Sequence, residues 1–365
     1  MAASPQRIIV RGVNWLGDAV MTSPALQRLR EAHPKAHITL LTPEKLAGLW
    51  LHHPSIDEVF SVPRSTGLAS LALQLRKRRF DTALILPNSP RSALEMCLAG
   101  IPRRIGVQGR WRSLLLTDVV AAQPGSTAMR KRSVEEVRQR QADPTAQRET
   151  YPTSSHHLFH YLHLASALGA KTKPLAPHLE IKASERSDFF LKFTKSPEDD
   201  GKWLGLNAGA EYGPAKRWPA ERFTEAARLI SKATGRRWLI FGGPADQALA
   251  DSIAHTLGPA HALAVAGRTS LRQLCVGLSA CRVVLTNDTG PMHVAAAVGA
   301  KLVIPFGSTS PELTGPGLPG SGREGWVLGE AGCAPCFLRQ CPVDFRCMKS
   351  ISIETVVRKV LEQLG

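Results

Sequence analysis

The chain has 365 residues, 43% of them hydrophobic and 21% charged, a balance that excludes a disordered or fibrous protein and leaves room for two ordinary domains. No run of about 18 apolar residues occurs, so no membrane-spanning helix is expected. The N-terminus enters a strand without a leader-like pattern, and the chain is expected to stay in the cytoplasm. The formal charge of +16 is uneven, with 24 Lys and Arg against 12 Asp and Glu in residues 1–175 and 22 against 18 thereafter. A basic first half calls for an anionic partner: nucleic acid, an anionic membrane surface, or an acidic lipid or glycan. No nucleic-acid motif accompanies the charge, and only 6% of residues are aromatic, so nucleic acid is not expected as a partner.

Taken in order, Arg7–Arg11 reads as a buried strand that runs through Gly12, Asn14, Gly17 and Asp18 into a helix over 19–32. This is a strand, glycine loop and helix, the opening unit of a Rossmann-like domain, without the G-x-G-x-x-G of a dinucleotide site. Asp18 stands at the loop-to-helix junction, where it either complements the helix dipole or presents a carboxylate at the strand tip. Further strands are expected at 37–42, 59–62, 82–87, 103–107 and 114–117, alternating with helices such as 68–79. Arg103, Arg104, Arg110 and Arg112 fall in loops around strand ends and are candidates for an anionic acceptor, whereas Arg76–Arg79 reads as a solvated helix end. Residues 122–155, rich in arginine, read as a mobile polar surface segment, a lid or a membrane-facing loop. A helix over 155–168 and a Pro-containing linker at 171–178 close the first half.

The second half repeats the alternation, with strands expected at 203–207, 237–241, 262–266, 282–286, 301–306 and 326–328 and helices at 220–234, 245–257, 270–280, 290–299 and 352–364. The expected organisation is an α/β protein with a Rossmann-like domain over 1–173, a second over 174–350, and a final helix in 351–365 packing back on the first. Four strand ends of the second half carry polar or glycine loops: 207–219 with Gly209 and Lys216, 241–246 with Asp246, 287–293 with Asp288, Thr289, Gly290 and His293, and 306–311. In a parallel sheet these tips share one edge, where open α/β sheets bind ligands. A helix beginning at Thr289-Gly290-Pro291 aims free N–H groups and its positive dipole end past the strand tip, which suits a phosphate. A neighbouring aspartate fits if that phosphate carries a sugar whose hydroxyls need an acceptor. Cys333, Cys336, Cys341 and Cys347 have a C-x2-C-x4-C-x5-C spacing that suits a structural tetrathiolate site, paired thiols or a simple folded loop.

Residues 14–21 (Asn-Trp-Leu-Gly-Asp-Ala-Val-Met), 215–219 (Ala-Lys-Arg-Trp-Pro), 287–295 (Asn-Asp-Thr-Gly-Pro-Met-His-Val-Ala) and the Cys333-Ala334-Pro335-Cys336 tail resemble, in the same order, the lipopolysaccharide heptosyltransferases of glycosyltransferase family 9. The resemblance is strongest to the members that add the second inner-core heptose. It implies a GT-B fold, two Rossmann-like domains facing each other across a cleft, and inverting transfer from ADP-heptose without a metal or other cofactor. It implies Asp18 as the base, and donor contacts from Lys216, Asp288, Thr289, Gly290, His293, Asp246 and Gly209. Arg11, Asn14, Arg103 and Arg110 are the expected acceptor contacts. The implied partners are a Kdo2-lipid A-type lipopolysaccharide precursor and the inner face of the inner membrane. The alternatives are a heptosyltransferase that acts at the first or third heptose or another nucleotide-sugar transferase of the same family, followed by a sugar-nucleotide epimerase on the same fold.

Overall fold

The computed structural model describes residues 5–196 and 202–365. The chain divides into two compact units, residues 1–126 with 154–180 and residues 127–153 with 181–365. Each unit is built on a wholly parallel six-stranded sheet among the described residues.

In the first unit the strands are β1 (Arg7–Arg11), β2 (His37–Pro43), β3 (Glu58–Val62), β4 (Thr82–Ile85), β5 (Arg103–Val107) and β6 (Asp118–Val120), in the order β3-β2-β1-β4-β5-β6. Ile8, Ile9 and Val10 are fully buried, as the central strand of a sheet covered on both faces requires. Helix Leu16–Ala32 packs beside helix Leu158–Ser166, while Leu71, Leu75, Ala93 and Met96 close a core with Ile9 and Ile85. The strand expected at 114–117 is instead a 3-10 turn, Arg112–Leu115, and β6 starts only at Asp118. The reason is Arg112. Its side chain turns inward and donates to the carbonyls of Val107, Ile85 (3.3 Å) and Pro87 (2.9 Å), which coils the apolar run around it.

In the second unit β7 (Trp203–Asn207), β8 (Arg237–Ile240), β9 (Ala262–Ala264), β10 (Cys281–Thr286), β11 (Lys301–Phe306) and β12 (Trp326–Leu328) stand in the order β12-β11-β10-β7-β8-β9. Both sheets therefore reverse direction of growth at their first strand, the doubly wound pattern. The final helix, Ile353–Leu364, was expected on the first domain; it belongs to the second unit, where Val356 and Val360 are fully buried in the core beside Ile230 and Phe223. Its apolar residues recur on one face, and that face meets helix Ala220–Thr234. No helix among the described residues is long and apolar enough to cross a membrane.

The polar segment of the first half is the main departure. Residues 127–153 are packed with the second unit, not held out as a lid. Arg132 donates to Pro335 O (3.0 Å), Arg140 to Gly332 O (2.8 Å) and Arg148 to Gly307 O (2.8 Å), while Glu149 N donates to Ala334 O (2.9 Å). Arginines that read as a partner-binding surface are spent as internal fasteners.

Candidate functional site

The second unit brings its strand-tip loops together as expected. Asp288, one residue beyond Asn287 at the end of β10, is 3% exposed and pairs with Lys216 Nζ at 2.7 Å. Thr309, from the loop after β11, donates its hydroxyl to the same carboxylate oxygen at 2.6 Å. Burial alone would raise the Asp288 carboxyl, yet the Lys216 ammonium, the Thr309 hydroxyl and the nearby His293 hold it below the usual carboxylate range. It is therefore an anion at neutral pH.

Local sequence explains how these groups are held. Asn287 is fully buried and acts as a spacer between loops: its Oδ1 accepts from Trp218 N (2.9 Å) and its Nδ2 donates to Ala208 O (2.8 Å). Those bonds fasten the 207–219 loop, and with it Lys216, to the tip of β10. Thr289 is the N-cap residue of helix Gly290–Ala297. Its hydroxyl makes no cap bond and instead accepts from Asn207 Nδ2 at 3.2 Å, while Met292 N in the first turn donates to Thr289 O at 3.1 Å. Pro291 in that turn removes a donor that would have had no partner anyway. His293 lies in the same helix, 6% exposed.

Asp246 stands before helix Gln247–Leu257 and accepts from Gly243 N at 3.1 Å. Gly209 and Gly242 make room for it: a Cβ on either would stand 2.4 Å or 2.7 Å from the Asp246 side chain. Gly209 thus acts through the space it leaves. The cysteine tail backs this assembly from behind. Tyr212 donates to Phe337 O (2.8 Å), Ala215 N to Arg339 O (3.0 Å), and Cys336 N and Phe337 N both reach Ser308 O. Cys333, Cys336 and Cys347 are buried free thiols with Cys341 half-buried, and burial pushes Cys347 up to about 12. Among the described residues no group of three or more His, Cys, Asp or Glu side chains is arranged to hold a metal ion.

In the first unit Asp18 occupies the first turn of helix Leu16–Ala32, its side chain 29% exposed. His157 Nδ1 lies 3.7 Å from Asp18 Oδ1, and the imidazole stacks on Tyr161 at 5.2 Å. Burial lowers His157 below the ordinary imidazole value against the pull of Asp18, so a neutral ring faces the carboxylate at neutral pH. Sequence reasoning missed His157. The signal was present in the run His156-His157-Leu158-Phe159-His160-Tyr161, which puts three imidazoles within two turns.

The expected acceptor contacts are not all gathered around Asp18. Arg11, at the end of β1, donates to Glu95 Oε2 (2.8 Å) and Gly12 O (2.6 Å), with Asn14 Oδ1 at 3.4 Å. Arg110 follows β5 on the same strand-tip edge, exposed, beside the Trp111 ring at 5.8 Å. Arg103 begins β5 and is paired with Asp118 (3.0 Å), at the opposite edge of the sheet from Asp18. Arg104 is likewise at the strand start, donating to Leu115 O and Ile101 O. Arg112 is the buried plug described above.

Comparison with known proteins follows the same lines. The model of glycosyltransferase family 9 (heptosyltransferase) matches residues 68–345. Lipopolysaccharide heptosyltransferase 2 of Escherichia coli K12 is 32% identical over 326 residues, 85% of each chain. The solved structure of E. coli ADP-heptose lps heptosyltransferase II superposes with a TM-score of 0.76 at 28% identity, covering 98% of both chains. A second E. coli heptosyltransferase, solved with ADP-2-deoxy-2-fluoro heptose, shares the fold with a TM-score of 0.67 at 17% identity over 99% of this chain and all of that one. The fold is GT-B, the chain is a glycosyltransferase, and it belongs to glycosyltransferase family 9, the heptosyltransferases.

Proposed function

We propose that the chain transfers heptose from ADP-L-glycero-D-manno-heptose to the first heptose of the lipopolysaccharide inner core, heptosyl-Kdo2-lipid A, with inversion at the anomeric carbon. The observation that carries this reading is the cluster of Lys216, Asp288 and Thr309 at the strand tips of the second unit, beside the start of helix Gly290–Ala297. A cation and backbone donors suit a diphosphate, and a buried carboxylate suits sugar hydroxyls. Relatives named for this transfer, at 32% identity over most of the chain, support the same assignment.

In this reading the acceptor hydroxyl attacks the anomeric carbon while Asp18 takes its proton, and the bond from that carbon to the diphosphate oxygen breaks. Asp18 is exposed enough to reach a substrate and has a neutral imidazole at its side, so it remains a competent acceptor. The leaving ADP needs charge stabilisation, not a proton; Lys216 and the N–H groups of the helix start at Thr289 and Gly290 supply it. Lys216 is paired with Asp288 at 2.7 Å, so it serves the diphosphate by turning from that carboxylate or bridging both. Asp246 takes the ribose hydroxyls and His293 the sugar-phosphate region. No cofactor is needed. Arg11, Asn14 and Arg110 face the acceptor at the first unit's strand-tip edge; Arg103, at the opposite edge and paired with Asp118, is not among these contacts. The enzyme works at the cytoplasmic face of the inner membrane as a peripheral protein.

The test is to offer ADP-heptose with acceptors that end before and after the first heptose, to the parent chain and to Asp18→Ala. Extension of the heptose-bearing acceptor alone, by the parent alone, with ADP-heptose still bound by the variant, is the expected result. Extension of the acceptor lacking heptose moves the protein to another member reaction of the family. Near-parental transfer by Asp18→Ala removes the base assignment.

A further inference from the structure

The loop that follows β11, Gly307 to Ser310, is held in an unusual way. Arg148 donates Nη1 to Gly307 O at 2.8 Å and Nη2 to Thr309 O. The carbonyl between them, Ser308 O, is taken by Cys336 N (3.1 Å) and Phe337 N (2.8 Å). Three consecutive carbonyls are thus drawn to protein donors. In a trans peptide the N–H points opposite to the C=O, so the N–H groups of Ser308, Thr309 and Ser310 each point away from the donor that holds the preceding carbonyl. These three meet no acceptor among the described residues, although all three residues are at most 4% exposed. The buried Ser308 hydroxyl has no partner either. Buried N–H groups are rarely left unmade without a ligand to take them, and successive N–H groups on one side of a loop form an anion-binding concavity. The same loop sends the Thr309 hydroxyl to Asp288, whose carboxylate oxygen also holds Lys216.

Arg148 is placed for this by residues 127–153. Arg132 and Arg140 tie that segment down through Pro335 O and Gly332 O, and no carboxylate pairs with Arg148 among the described residues. The groups it bonds are loop carbonyls, with the Glu312 carboxylate nearby to favour its charge, so its part is to fix the loop's peptide planes.

We propose that Arg148 is a positioning residue that turns the Gly307–Ser310 backbone into an N–H cradle for the diphosphate of the nucleotide donor. The proposal rests on reading this edge as the donor site. It concerns a residue from the segment inserted between the two halves of the first unit, which no strand-tip pattern marks.

The experiment compares ADP and AMP binding by calorimetry in the full chain for the parent, Arg148→Ala, Arg148→Gln and Lys216→Ala, with thermal melting of each. Loss of charge-assisted bonds predicts that Arg148→Ala weakens ADP by about tenfold or more. It also predicts a smaller penalty for AMP, so the preference for ADP over AMP shrinks. Arg148→Gln, shorter and uncharged but with an amide NH2 that can still donate, should lie between. A merely structural role lowers the melting temperature and leaves that preference unchanged. ADP affinity within twofold of the parent, with the preference retained, in either folded Arg148 variant overturns the proposal. Should Lys216→Ala also bind ADP as the parent does, the donor-site reading fails with it; if Lys216→Ala alone loses ADP, only the role of Arg148 falls.

Discussion

At the residue scale the decisive group in the second unit is Asp288. A carboxylate this buried is stable as an anion only because Lys216 and Thr309 both engage one of its oxygens. Its folded pKa lies below the ordinary value, so the stabilisation is complete above about pH 4 and is lost as pH falls through the depressed folded value. Asp288→Asn leaves Lys216 half-buried without its counter-charge, which should cost about 3 kcal/mol at neutral pH. Melting curves of parent and variant should differ most at pH 7 and converge as pH falls below the ordinary carboxylate range, where the parent's own carboxyl protonates. A constant difference across that range would mean that the ion pair is not what Asp288 contributes. The same residues show what a sequence can and cannot disclose. Asp288 and Thr289 were legible because they follow an apolar strand closely, and Lys216 because it lies in the long loop that follows another. Asn287 and Asn207 were not, because their work is to bond between loops whose approach only the fold defines.

At the scale of elements the twelve strands were largely readable, since a parallel sheet covered on both faces needs short continuous apolar runs between helices. The exception, Leu114–Thr117, failed because apolar composition does not distinguish a strand from a turn wound around a buried guanidinium. Segment 127–153 failed for a related reason: polarity normally marks a solvated loop, but these arginines bond to carbonyls of a distant tail. That tail is itself an element of the site, because it supports both the Lys216 loop and the Ser308 loop through main-chain bonds. Gly329 is where it meets the sheet. Its N–H donates to Phe306 O at 2.8 Å, and a Cβ there would stand 1.6 Å from Cys347 O, a backbone atom that cannot swing aside. Gly329→Ala should therefore destabilise the second unit by about 2 kcal/mol or more and weaken ADP binding as the Gly307–Ser310 loop shifts. Denaturant titration followed by calorimetry would check both, and a variant with parental stability would show that the tail yields easily.

At the scale of the whole molecule the charge acquires a different distribution of tasks from the one its sequence suggests. The formal charge is +16, with an excess in residues 1–175, but Arg112, Arg132, Arg140 and Arg148 are committed to internal carbonyls or carboxylates. The exposed cations at the first unit's strand-tip edge include Arg110 and Arg91, the latter beside Glu95 at 3.4 Å. An anionic bilayer holding the lipid-linked acceptor would be met through such groups, each worth on the order of 1 kcal/mol near the surface. The full chain should therefore sediment with vesicles containing phosphatidylglycerol at low salt, release as ionic strength shortens the Debye length below about 10 Å, and ignore phosphatidylcholine vesicles. Reversing Arg91 and Arg110 together to Glu should lower that binding by about tenfold or more, whereas Arg138→Glu, in the segment packed with the second unit, should change it little. Equal affinity for neutral vesicles would mean that apolar contact, not charge, carries any attachment. Undiminished binding after the double reversal would place the membrane-facing charge elsewhere on the molecule.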